Sequence, residues 1–232
     1  MSGFDFENFS DGDWDQNEEL AWNEYDWQRY LRQNEREISD FLTHYHKLKH
    51  EPDHLDAIAR IMGWDREEWS PGEMVEDTDF DAQEENERPR SSSEGDMDPY
   101  TIHKHPVFIV THGLYQHLFK CWEMFTLQNQ RSISPVMVGR FGASLHAGEI
   151  NAVMAINALD MGDYNLTICH LKNSLSALNH SLALLQKLSI KNDRILNLFQ
   201  SETTRTLFDL REVWLRVMND CREEERRGSD SE

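Results

Sequence analysis

Histidine, cysteine and one glutamate are the residues of this 232-residue chain whose chemistry stands out. Of eleven histidines, His46 and His50 stand four apart, the spacing at which two imidazoles share a helix face and could hold a metal. His54 continues that spacing, but Pro52 interrupts the helix between them, and no Asp or Glu clearly completes a ligand set. His117 and Cys121 repeat the spacing further on; a boundary histidine beside a core cysteine accounts for them without an ion. His46, His50, His117 and Cys121 are therefore secondary metal candidates only, and no metal or other cofactor is expected. His103 and His105 flank Lys104 at a junction between segments, where they read as solvent-exposed.

Glu149 is different in kind. It interrupts an apolar stripe of Leu145, Ala152 and Ile156, where a charge is costly to bury unless a cation pairs with it. Candidate partners are Arg140, His146 and Arg205. Paired, it sets helix register; unpaired in a cavity, it is an acid–base group or a ligand. The paired reading asks for less. A di-iron centre needs Glu-x-x-His on two helices, and the C-terminal half has only the reverse order, His146 before Glu149. Gly-rich phosphate loops, Gly-x-Ser-x-Gly and Cys-x-x-Cys are also missing, so no catalytic residue is nominated.

The elements that position these residues read as helices throughout. Eleven glycines and six prolines in 232 residues argue against a turn-rich all-β fold. The spacing predicts a first helix from near Pro106 to about Gln130, with Leu114, Leu118, Cys121, Trp122 and Phe125 as its stripe. A second runs from about Ser134 to Met161. Gly162-Asp163 breaks the chain, with Asp163 as N-cap of a third. That third helix carries Ile168, Leu171, Leu175, Leu178, Leu182 and Leu185 at heptad spacing. A fourth starts near Asn192 or Asp193 and carries Phe199, Thr203, Thr206, Leu210, Val213 and Val217. Short connections favour antiparallel neighbours, so residues 99–226 read as an antiparallel four-helix bundle with a disordered tail at 227–232.

Charge divides the chain. Residues 1–98 hold 29 acidic and 9 basic side chains, and the rest is balanced, so the net charge of −20 lies wholly in the first part. There, 1–13 read as a loose tail and 71–98 as an acidic disordered linker, too polar to offset its ordering entropy. Between them lies an aromatic-rich helical arm, 14–70. Leu20, Trp27, Leu31, Ile38, Leu42 and Tyr45 share its face, and a short second helix follows from about Asp53 to Met62. Five of the seven tryptophans (14, 22, 27, 64 and 69) fall in this polar arm and need a surface to cover them. From Ser134 to Lys187, by contrast, only six side chains are Asp, Glu, Lys or Arg. Helices that poor in charge are buried on two sides, by the arm folding back or by a second subunit.

Two resemblances bear on the reading. Ala155 to Tyr164, followed by Thr167, Ile168, Ser174 and Leu175, resembles the hinge of a single tetratricopeptide repeat, but no copy stands 34 residues away. Trp22-Asn-Glu-Tyr-Asp-Trp27-Gln-Arg-Tyr-Leu-Arg32 with Met62-Gly-Trp-Asp65 is similar to the N-terminal arm of uncharacterised acidic bacterial helical proteins. That resemblance implies an acidic linker and a helical C-terminal half, and no activity.

The resulting expectation is a non-enzymatic, cytoplasmic interaction or adaptor protein that self-associates through its bundle. Trp22, Trp27, Tyr30 and Leu31 supply the residue types that dominate interface energetics, and their acidic setting suits a basic protein partner. The alternative is a metal- or small-molecule-binding bundle, with or without enzymatic activity, centred on Glu149 with His146, His117 or Cys121. An acidic decoy for a DNA-binding protein is a third. No direct nucleic-acid binding is expected of so acidic a chain, and no apolar run reaches the roughly 18 residues of a membrane span. The three cysteines are odd in number and widely spaced, which excludes a disulfide framework and fits a reduced compartment.

Overall fold

A computed structural model of the chain describes residues 22–64, 102–190 and 193–230. The expected tail 1–13, Leu20, Asp65, Trp69 and the linker 71–98 lie outside the described residues. The described residues form six α-helices with no strand: α1 (Glu24–Leu48), α2 (His54–Met62), α3 (Pro106–Gln128), α4 (Pro135–Asp160), α5 (Tyr164–Gln186) and α6 (Asp193–Asp230). A 3₁₀ turn, Ile102–Lys104, leads into α3. None of these helices is long and apolar enough to cross a membrane.

Local signals set the boundaries. Asn23 caps α1 by accepting from the Tyr25 and Asp26 amides, while Asp26 accepts from the Asn23 amide. Ser134 and Asp163 cap α4 and α5, and Pro106 and Pro135 occupy the first turns where a missing N–H costs nothing. Gly63 and Gly162 take positive φ, 75° and 74°, and close α2 and α4 as a side-chain-bearing residue would do only under strain. The last helix runs to Asp230, past the expected end at 226. Its final turns are held by Glu and Arg at helical spacing, such as Arg227 Nη1 to Glu224 Oε1 at 2.7 Å.

α3 packs on α4 and α6, and α5 packs on α4 and α6, around a core that α1 and α2 also enter. Leu114, Leu118, Phe141, Leu145, Leu171, Leu178, Leu207, Leu210 and Trp214 are buried in it. α1 lies against α3 rather than over α4 and α5, and α2 folds back beside α1. The buried face of α1 keeps Ile38 and Tyr45 of the expected stripe, with Leu42 packed at its edge, but is rotated at its N-terminal end. Tyr30, Asn34, Ile38, Phe41 and Tyr45 face inward, whereas Trp27 and Leu31 are 40% and 44% exposed. Asn34 hides this register in the sequence: it looks like a polar-face residue, yet its side chain donates to the His103 carbonyl at 2.7 Å. Complete burial of Phe41 and Tyr45 contributes about 1.5–3 kcal/mol each, which seats the arm.

α4 and α5 meet through small residues. Ser144, Gly148, Ala152 and Ala155 on α4 are buried, as are Ser174 and Ser181 on α5. Ser174 Oγ donates to the Gly148 carbonyl at 2.6 Å, and Ser144 Oγ donates to the Ala177 carbonyl at 2.9 Å. Gly148 is required here, because a Cβ would stand 2.3 Å from Tyr115 Oη. Small side chains and satisfied hydroxyls let the backbones approach closely.

Candidate functional site

Two places gather unusual side chains. The first joins α1, α3 and α6 through a titratable cluster. His117 on α3 sits with Nε2 3.2 Å from Glu202 Oε1 and Nδ1 3.2 Å from His46 Nε2. Lys49, at the end of α1, also bonds Glu202, and Arg205 lies 3.6 Å from its other oxygen. Burial pulls the His117 pKa down, but the hydrogen bonds to Cys121 and Glu202 outweigh it and hold the imidazole up at about 9. The His117 hydrogen bond in turn brings Glu202 down to about 2, against the cost of its burial. His46 is pushed below its ordinary value by burial and by the neighbouring charges of His117 and Lys49. A charged His117 thus donates from both ring nitrogens, with neutral His46 as an acceptor.

Cys121 Sγ lies 3.6 Å from His117 Nε2, so thiol, imidazole and carboxylate stand together. Cys121 Sγ also lies 3.9 Å from His117 Nδ1, so the thiol reaches both ring nitrogens while Glu202 holds Nε2. Among the described residues, no three or more His, Cys, Asp or Glu side chains are arranged to hold a metal ion. Of the four secondary metal candidates the structure unites His46, His117 and Cys121; His50 is exposed and stands apart.

A second polar knot lies next to the first. Asp209, buried on α6, accepts from Tyr45 Oη at 2.6 Å and sits 3.2 Å from His54 Nε2. Burial, then the Asp209 charge and its hydrogen bond, drives the Tyr45 phenol far above its ordinary value. Tyr45, His54, Lys49 and Glu202 together fasten α1 and α2 to α6. Nothing in the sequence marked Asp209 or Glu202, since each looks like one more acid on a charged helix.

Glu149 is half-buried and paired, but not with the expected arginines. His112 Nδ1 lies 3.2 Å from it and His146 Nδ1 3.8 Å. Arg140 is exposed and Arg205 belongs to Glu202. His112 lies one helix away on α3, a proximity invisible before α3 and α4 are packed. His105 also departs from expectation: it is buried, caps α3 by accepting from the Val107 amide at 3.2 Å, and is held below its ordinary pKa by burial. Trp22, Trp27 and Tyr30 form an edge-to-face cluster with centroids 5.0 to 6.0 Å apart. Tyr30 is buried against His103, so only Trp27 and Leu31 of the four nominated partner residues present a large exposed surface.

The second place is a groove of about 400 Å³. Phe41 and Trp64 stack at one wall, Val107 and Val110 form another, and Val213 and Val217 of α6 close a third. Its rim carries Asp56, Arg216, Asp220 and Glu224. Arg216 is bonded to Asp56 and to Glu212, which leaves Asp220 without an ion pair among the described residues. Burial, reinforced by Glu223, raises the Asp220 pKa. The groove draws on five separate stretches of chain, which is why no motif announced it. Its form is that of an apolar slot with a net acidic edge. Neither a family model, a curated protein nor a solved structure matches this chain.

Proposed function

We propose that the chain is a non-enzymatic interaction protein, in which α3 to α6 serve as an antiparallel four-helix bundle and α1 with α2 as an arm fixed to it. Its partner is a basic amphipathic segment of another protein, and the bundle self-associates. The groove carries this reading: apolar walls to take aliphatic or aromatic side chains, and Asp220 with Glu224 at the edge to meet Lys or Arg. The charge of −20 adds long-range attraction for a basic partner. Trp27 and Leu31, exposed near the start of α1, offer a further contact. The alternative, a ligand- or metal-binding bundle centred on Glu149, has less support: that carboxylate is met by two histidines and does not line the groove.

The test uses a synthetic amphipathic helix with Leu and Trp on one face and Lys on the other, titrated calorimetrically into the full chain. It should bind, and a counterpart with Glu in place of Lys should not. Ala59→Phe, which fills the groove, and the pair Asp220→Lys with Glu224→Lys should each weaken binding by about tenfold or more. Equal binding of both peptides, or indifference to both variants, would contradict the reading.

A further inference from the structure

α4 is apolar on two faces, and among the described residues only one is covered. Its inner face meets α3 and α5. On its outer face Val136, Arg140, Ala143, Ala147, Ile150, Met154, Asn157 and Met161 follow one another at spacings of four and three, and all are exposed. Ile150 and Met154 are 48% and 49% exposed and Met161 is 72%. Such a sustained heptad seam is the pattern by which one helix packs along another. The described part of the arm does not cover it: α1 lies on α3 and α2 lies beside α1.

The seam is complementary to itself. When two copies run antiparallel with a two-fold axis level with Gly148 and Glu149, every layer finds a match. Ile150 then faces Ala147 of the second copy, Met154 faces Ala143, and Met161 faces Val136, so large residues meet smaller ones. Arg140 faces Asn157, with the Asp160 carboxylate one turn along; these are the seam's polar positions, and they meet each other rather than apolar side chains. No like charges oppose in this register. We propose that the outer face of α4 is an isologous interface between two copies of this chain, antiparallel in this register. The proposal rests on the self-association in the reading above and is independent of the groove, so failure of peptide binding and failure of dimerisation are separate results.

Sedimentation equilibrium of the full chain decides it. The wild type should form a dimer, and Ile150→Lys or Met154→Lys should raise its dissociation constant by about a hundredfold with helicity unchanged. Arg140→Glu alone should raise it by about tenfold, and Arg140→Glu with Asp160→Lys should restore it to within about threefold of wild type. A monomer at tens of micromolar, including one whose own residues cover the seam, would overturn the proposal. So would a dimer indifferent to both lysine variants. A dimer broken by Ile150→Lys but not rescued by the charge exchange would overturn the antiparallel register.

Discussion

The α4–α5 pair and the junction of α1 and α2 with α6 hold together by opposite means. Between α4 and α5 the contacts are glycine, alanine and serine at close approach, with every buried hydroxyl aimed at a carbonyl or another hydroxyl. Between the arm and α6 the contacts are Tyr45, His54 and Asp209, and then Lys49, His117 and Glu202. The first depends on shape and is indifferent to pH. The second depends on charge, and its strength varies with protonation. One chain thus contains a joint that titrates and a joint that does not.

The largest expected effect breaks the shape-dependent joint. Gly148→Val should lower stability by about 3 kcal/mol or more, since Tyr115 Oη occupies the space a Cβ needs. Thermal unfolding should show it equally at pH 5 and pH 8. On the other side, Asp209→Ala should cost about 2–3 kcal/mol by leaving the buried Tyr45 hydroxyl only its longer bond to Thr206 Oγ1 at 3.4 Å and removing the His54 partner. Limited proteolysis should then cut between α1 and α2 while the α4–α5 connection stays intact; cleavage at both together would erase the distinction.

Protonation sharpens the contrast. His117 is raised to about 9, so its stabilising contribution is complete below pH 6.5 and is lost as pH rises through 9. Glu202 is lowered to about 2, so its contribution is present above pH 4.5 and is lost as pH falls through 2. Neutral His46, His103 and His105 are favoured by folding and add a loss below pH 6.5. Stability should therefore peak near pH 6.5, with about 2 kcal/mol given up between 6.5 and 9. Chemical denaturation across pH reads this directly, and His117→Gln should flatten the alkaline limb. The smallest effect belongs to Glu149→Gln, within about 1 kcal/mol, because its histidine partners are part-exposed.

Much of the helical layout was legible, and the reasons are specific. Caps and prolines at Ser134, Pro135 and Asp163 are local chemistry, so the helix starts could be read from residues a few positions apart. The heptad of α5 was equally plain. The C-terminal half of the α1 face, Ile38 and Tyr45, was legible, but its N-terminal half was not, because Asn34 is buried by a backbone carbonyl 69 residues away, and no local pattern encodes that. The same limit hid His112 beside Glu149 and Glu202 beside His117. The low density of charge from Ser134 to Lys187 gave the expectation of two-sided burial, whereas among the described residues the outer face of α4 is exposed.

The most direct measurement of that bare face is oxidation of methionines by dilute hydrogen peroxide across protein concentration, read by mass spectrometry. In the isolated chain Met154 and Met124 are about equally exposed, 49% and 52%, but Met154 lies on the outer seam of α4 and Met124 on α3. If the seam closes on a second copy, Met154 and Met161 should be protected at high concentration and released on dilution, while Met124 reacts at one rate throughout. Met154 oxidising as fast as Met124 at every concentration would contradict the account.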